Sequence, residues 1–228
     1  MKDISGMSES YYGELKQLAL SLSMDLFGVC SIEKEVDRFH KDIRERAGEL
    51  KYAISLGLGL SREIFETIID GPNDIYKAHY RQANMILDIA SFRIARYIQR
   101  KGYEAIPIPA SFTVDEMMQR GHVSHRWLAE LAGLGWRGRN NLLVTREFGA
   151  AVRLTTVLTD IPLTIDKPME FSCGDCYECI SECPAQALRE NPKDYNFDRC
   201  YQQVLSYSKR NNFGQMICGH CIKVCRPK

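Results

Sequence analysis

"CGDCYECISECPAQAL", residues 173–188, places four of the chain's nine cysteines within eleven residues. The others are spread just as unevenly. Cys30 stands alone, while Cys200, Cys218, Cys221 and Cys225 complete a set of eight beyond residue 172. At 228 residues the chain is long enough to bury a core without disulfide staples. Hydrophobic residues make up 45% and charged ones 26%, an ordinary globular composition. A formal charge of +1 leaves no strong overall basic field, so any nucleic-acid contact would need a local patch. The first residues, "MKDISGMSESYYGEL", lack the apolar region of a signal peptide, and no run of 18 apolar residues suggests a membrane span. The expected location is the cytoplasm, where thiols stay reduced. Clustered cysteines there ask for a metal or redox explanation.

The spacing supplies one. Cys173-x2-Cys176-x2-Cys179-x3-Cys183-Pro184 is the pattern of bacterial two-cluster ferredoxins. Three thiolates on a tight loop can cap one cubane. The fourth, leading into a helix expected at Pro184, reaches the neighbouring cluster. Cys218-x2-Cys221-x3-Cys225 keeps the later spacing of a second motif, whose first member lies upstream at Cys200. The ligands then divide into Cys173, Cys176, Cys179 and Cys225 for one [4Fe-4S] cluster, and Cys183, Cys200, Cys218 and Cys221 for the other. Structural zinc favours separated pairs of ligands, and disulfides conflict with the compartment. Cys30, inside an apolar run, reads as a small buried hydrophobe.

The residues before the cysteines read as an α/β (α+β) domain. Residues 8–24 have helical spacing, and "LFGVCSI" (26–32) and "YAISLGLGL" (52–60) are strand-like. A long helix is expected over about 73–99, with Ala83, Ile86, Leu87, Ala90, Ile94, Tyr97 and Ile98 on one apolar stripe. "EAIPIPAS" (104–111) reads as a strand entering a loop, residues 123–134 as a helix, and "LLVT" and "AVRLTTVLTD" as strands. Prolines and polar residues in "IPLTIDKPMEFS" (161–172) suggest the boundary between an α/β domain, 1–168, and a small bacterial-ferredoxin-like module, 169–228.

Gly133-Leu134-Gly135-Trp136-Arg137-Gly138 formally matches a dinucleotide-binding GxGxxG, but here a helix precedes the glycines and a strand-like run follows. That is the reverse of the order a dinucleotide fold needs. Arg120, Arg126, Arg137, Arg139 and Arg146 gather around this segment and could bind phosphates, or simply form a solvated face with Glu130 and Glu147. His122 and His125 lie three apart, on one helical face if the helix begins that early.

"AGLGWRGRNNLLVT", "TVLTDIPL", the eight cysteines and "GYEAIPIPAS" together resemble the epoxyqueuosine reductases and their shorter relatives, over about residues 26–225. The resemblance implies an α/β domain that binds cobalamin in a base-off form beside a double-cluster module, an arrangement shared by reductive dehalogenases. One cluster then reduces the cobalt, which drives a reductive step. The implied cobalamin contacts lie at Ala110 and Ser111 and along Gly133, Gly135, Trp136, Gly138, Arg139, Asn140 and Asn141. The sequence departs from the family at the proposed general acid. The family's spacing, counted back from Trp136, reaches Gln119 where an Asp of an Asp-x-x-Pro segment is expected. Asp115, His122 and His125 are the candidate proton donors in its place.

Three functions compete. The first is a cobalamin-dependent reductase fed through two clusters by an external donor of ferredoxin or flavodoxin type. The second is an electron-transfer protein without cobalamin, docking a partner or a flavin. The third is a tRNA-binding modification protein.

Overall fold

The computed structural model describes residues 4–226. In chain order the elements are α1 (Ile4–Ser21), β1 (Leu26–Ser31), α2 (Lys41–Ala47), β2 (Tyr52–Gly59), α3 (Arg62–Glu66), α4 (Asp74–Arg100), β3 (Ala105–Ile108), α5 (His125–Leu131), β4 (Trp136–Arg137), β5 (Leu143–Val144), β6 (Val152–Thr159), α6 (Glu178–Ser181), α7 (Phe197–Lys209) and α8 (His220–Lys223). They fall into two compact units. One takes residues up to Leu58 with Asn84–Leu134 and Arg153–Met169. The other takes Gly59–Ala83, Gly135–Val152 and the chain from Glu170. The second unit therefore draws on two stretches well upstream of the cysteines.

The first unit is built on a sheet of order β1-β2-β6-β3, in which β1 runs antiparallel to β2 and β3 antiparallel to β6. Its core combines Leu15 and Ala19 of α1, Val29, Ile54, Leu56 and Val157 of the strands, and Leu87, Ala90, Ile94, Ala95 and Ile98 of α4. The α4 stripe differs from the expected one at two positions, Ile86 and Ala95. Ile86 is 39% exposed while Ala95 is buried, because the stripe centres on the 87–90–94–98 line and leaves 86 at its edge. Cys30 is buried, its thiol donating to the Leu128 carbonyl oxygen at 3.5 Å, and burial pushes its pKa up to about 12. That is the behaviour of an unreactive core thiol.

The sheet's buried threonines hold the neighbouring loop. Thr155 donates its hydroxyl to the Ile108 carbonyl at 2.7 Å. The His125 ring bridges Thr156 Oγ1 (2.8 Å) and the Pro109 carbonyl (2.9 Å). The Ala110 N–H donates to Asp88 at 2.8 Å, and Arg153 donates to the Ala110 carbonyl at 3.3 Å. Four side chains thus fix three consecutive residues, and residues 108–110 form a rigid edge.

Among the described residues no helix is long and apolar enough to cross a membrane.

Candidate functional site

The structure brings the eight clustered cysteines together within the second unit. Cys173, Cys176, Cys179 and Cys225 line one cavity that is partly open to solvent. Cys179 sits on the short helix α6. Burial pushes its thiol up to about 12, with Cys225, Cys173 and Cys176 adding to the shift. Cys225 is raised by burial and then by Cys173 and Cys176, against the opposing pull of the Ala150 N–H and Arg62.

Cys183, Cys200, Cys218 and Cys221 form the other group. Cys218 is pushed to about 11 by burial, with Cys200 and Cys183 adding to it and the His220 backbone N–H opposing. Cys221, on α8, lies well above its ordinary range through burial, then Cys218, Cys200, Cys179 and Cys183. Its reach to Cys179 means that the two groups adjoin. Among the described residues no three His, Cys, Asp or Glu side chains converge tightly enough to grip a single metal ion.

Cys183 does not lead into the expected helix. Gln186 takes a left-handed backbone (φ 49°) and closes a turn onto the Cys183 carbonyl at 2.9 Å, while the Ala187 N–H points to Cys183 Sγ at 3.4 Å. A left-handed residue two positions after Pro184 cannot continue a right-handed helix. The helix in this region is α7, capped by Asn196 and carrying Cys200.

Several residues far from the cysteines in sequence hold Cys225. Arg62 donates to the carbonyls of Cys225 and Lys223, each at 2.9 Å, and Lys223 donates to the Ile68 carbonyl at 2.7 Å. Gly149 (φ 58°) packs so closely that a Cβ there would meet the Cys225 carbonyl. Cysteine spacing carries no trace of these contacts.

The glycine-rich segment turns from α5 into a ribbon in which β4 runs antiparallel to β5. Gly133 belongs to the first unit and Gly135–Asn141 to the second. Two of its glycines are explained by packing: a Cβ on Gly133 would meet the Lys167 carbonyl, and one on Gly135 the Val144 carbonyl. Asn141, left-handed at φ 59°, accepts the Arg137 guanidinium at 2.8 Å, so its amide oxygen serves the turn. Asn140 accepts the Leu142 N–H at 3.1 Å. Arg139 lies over the Tyr177 ring, 4.2 Å from its centroid, and donates to the Cys176 carbonyl at 3.2 Å. Arg146 lies over Phe171. Three of the five clustered arginines thus make contacts within the second unit, Arg146 while remaining exposed.

The candidate proton donors and the 108–111 loop lie in the first unit. The α5 helix starts at His125, with Ser124 as its cap, so His122 lies before it and the two histidines do not share a helical face. Asp115 pairs its backbone with Arg120, and its carboxylate accepts the Met118 N–H at 3.0 Å. His122 stacks on Phe112 and meets His40 edge-on. Ser111 is exposed. Burial lowers the His125 pKa to about 4, opposed by the Pro109 carbonyl and assisted by Arg153. With both ring nitrogens engaged, its neutral form pins the 108–110 edge.

Neutral His125 stabilises the fold above about pH 6.5, its unfolded value, and that contribution drains away as pH falls towards 4. Thermal unfolding followed across this range should lose up to about 3 kcal/mol of stability that a His125→Gln variant does not lose. Equal pH slopes for the two proteins would show that His125 is not held neutral.

No protein-family model matches the chain. It is 37% identical over 122 residues to an epoxyqueuosine reductase of Bacillus cereus, a match covering 50% of this chain and 32% of that protein. It is 29% identical over 185 residues to a tetrachloroethene reductive dehalogenase of Sulfurospirillum multivorans, covering 75% and 34%. The chain thus spans about a third of the length of these curated relatives. Among solved structures, a catabolic reductive dehalogenase superposes with a TM-score of 0.78 at 20% identity, over 98% of this chain and 32% of that one. The epoxyqueuosine reductase of Bacillus subtilis superposes with a TM-score of 0.65 at 22% identity, over 93% and 64%. By sequence the chain is similar to the epoxyqueuosine reductases over half of its length, and its mixed α/β fold is the one they share with the reductive dehalogenases.

Proposed function

We propose that this chain is a cobalamin-dependent reductase in which two [4Fe-4S] clusters in a ferredoxin-like module pass electrons to a corrinoid. The observation that supports the reading is a cavity lined by Cys173, Cys176, Cys179 and Cys225, with Cys183, Cys200, Cys218 and Cys221 influencing one another's thiols nearby. The donor set fits the clusters. Thiolates are the ligands they use, and backbone N–H groups of Ala187, Ala150 and His220 point at Cys183, Cys225 and Cys218, where they would stabilise coordinating sulfur. The raised thiol pKa values mean that proton release must accompany iron binding.

Two clusters and a corrinoid would supply the one-electron chemistry. The protein's share is positional. Arg62 and Gly149 hold Cys225, and the pinned 108–110 edge offers rigid backbone beside Ser111 for a cofactor. His122 and Asp115 are the proposed proton donors, since His125 is committed to the Pro109 carbonyl. A ferredoxin- or flavodoxin-type protein would supply electrons. Support for the corrinoid comes from relatives: one structural neighbour is described in terms of B12-dependent dehalogenation. A tRNA substrate is the parallel suggestion from another, an epoxyqueuosine reductase solved with an epoxyqueuosine-modified tRNA stem loop.

The second reading, a cluster protein that docks a partner or a flavin instead of a corrinoid, is favoured by one observation. Gly133, Gly135 and Asn141 are accounted for by chain packing, with no cofactor needed.

Anaerobic purification followed by iron and sulfide analysis, then addition of cobalamin under reduction, separates the outcomes. About eight irons per chain and a perturbed cobalt spectrum are expected. Fewer than about four irons would end the cluster reading. Eight irons with an unperturbed cobalamin spectrum would favour the second reading.

A further inference from the structure

Among the described residues five buried side-chain nitrogen or oxygen atoms have no hydrogen-bond partner, and three of them belong to Trp136, Arg139 and Asn140. All three residues line the cavity shared with Cys173, Cys176, Cys179 and Cys225. The atoms are Trp136 Nε1, Arg139 Nε and Asn140 Nδ2, and each is a donor. The Asn140 orientation is fixed, because its oxygen accepts the Leu142 N–H. Trp136 and Asn140 are only 4% and 5% exposed, so bulk water does not serve them. A buried donor left without an acceptor is destabilising by about 1–3 kcal/mol, and native proteins seldom tolerate three side by side. Their surroundings explain how each is held. Trp136 packs on Phe171 with ring centroids 4.7 Å apart. Arg139 is anchored through its other nitrogens and its face by Cys176 and Tyr177.

Three donors and one guanidinium charge on the wall of a four-thiol cavity call for a sulfur-rich, negatively charged acceptor. We infer that Trp136, Arg139 and Asn140 form a hydrogen-bonding shell around the cluster held by Cys173, Cys176, Cys179 and Cys225, and raise its reduction potential relative to the other cluster. The inference rests on the proposed cluster reading and deepens it. Donors directed at cluster sulfur stabilise the more negative, reduced state, and hydrogen bonding to sulfur is one of the protein's levers on potential. Electrons entering at the other cluster would then run downhill to this one. The GLGW-containing segment accordingly serves the iron–sulfur centre.

The test is a redox titration of the anaerobically purified full chain, monitored by EPR, comparing wild type with Trp136→Phe and Asn140→Asp. Phe keeps the tilted ring contact with Phe171, and Asp keeps the acceptor for Leu142. Each removes a donor, but Asp also adds a negative charge acting in the same direction, so Trp136→Phe is the charge-neutral arm. Each variant should retain about eight irons and show one cluster about tenfold harder to reduce, about 59 mV lower for one electron, with the other unchanged. Trp127→Phe, which removes an indole N–H bonded to Glu35, should leave both potentials where they were. Two intact clusters with wild-type potentials in both variants would overturn the inference. So would loss of about four irons in both, which assigns the residues to cluster assembly instead. Fewer than about four irons in the wild type would instead fail the cluster reading beneath it.

Discussion

Replacing Cys225 by Ser should lower the iron content from about eight to about four per chain, measured on anaerobically purified protein. Cys225 is the residue that joins the distant end of the cysteine run to Cys173, Cys176 and Cys179 around one cavity. Removing it leaves three thiols and an open iron site, while Cys183, Cys200, Cys218 and Cys221 keep a full set. The matching Cys183→Ser change should remove the other cluster and leave this one. A protein that keeps about eight irons after either change would refute the division into two groups. Loss of all iron from both would mean that the adjoining groups, linked by the approach of Cys221 to Cys179, assemble only as a pair.

The second large effect is expected at a residue that binds nothing. Gly149 has φ 58°, a left-handed backbone that disfavours a side chain, and an added Cβ would meet the backbone of Cys225 and Arg226. Gly149→Ala should therefore destabilise the protein by about 3 kcal/mol, combining backbone strain with overpacking against a backbone that cannot yield. Because that backbone carries Cys225, the variant should also lose the cluster of Cys173, Cys176 and Cys179 preferentially. Thermal unfolding and iron analysis read the two effects together. Gly102→Ala is an informative control: its φ is 88°, it lies far from the cysteines in sequence, and no atom lies within 4 Å of its added Cβ. Equal losses in the two variants would show that strain alone, not contact with Cys225, accounts for the effect.

Much of this architecture was legible in the sequence because it follows short periods. The strands at Leu26–Ser31, Tyr52–Gly59 and Val152–Thr159 and the helix Asp74–Arg100 lie within a residue or two of the apolar runs that predict them. The clustering of Cys173, Cys176 and Cys179 along one cavity was legible because their spacing on a tight loop is a local constraint. What could not be read has long-range or conformational causes. The Arg62 clamp on Cys225 joins residues 163 positions apart, and no periodicity records such a contact. The missing helix after Cys183 depends on one left-handed residue, Gln186, of a type that usually continues a helix. His125 looked available for proton transfer because its burial and its partners, Thr156 and Pro109, exist only in the fold. Trp136 and Asn140 were read towards a corrinoid, and nothing in "GLGWRGRNN" reveals that they line the cavity of Cys173, Cys176, Cys179 and Cys225.

The Arg62–Cys225 clamp also bears on the order of events during maturation. Contacts that close very long loops form late and slowly, since chain entropy must be overcome before they return any stabilisation. The local triplet Cys173, Cys176 and Cys179 can gather early, but its fourth partner arrives only after the stretch around residue 62 has found the far end of the chain. Under the proposed cluster reading, iron–sulfur insertion at this site would be tied to the completion of tertiary folding, and a misfolded chain would lack its fourth thiol.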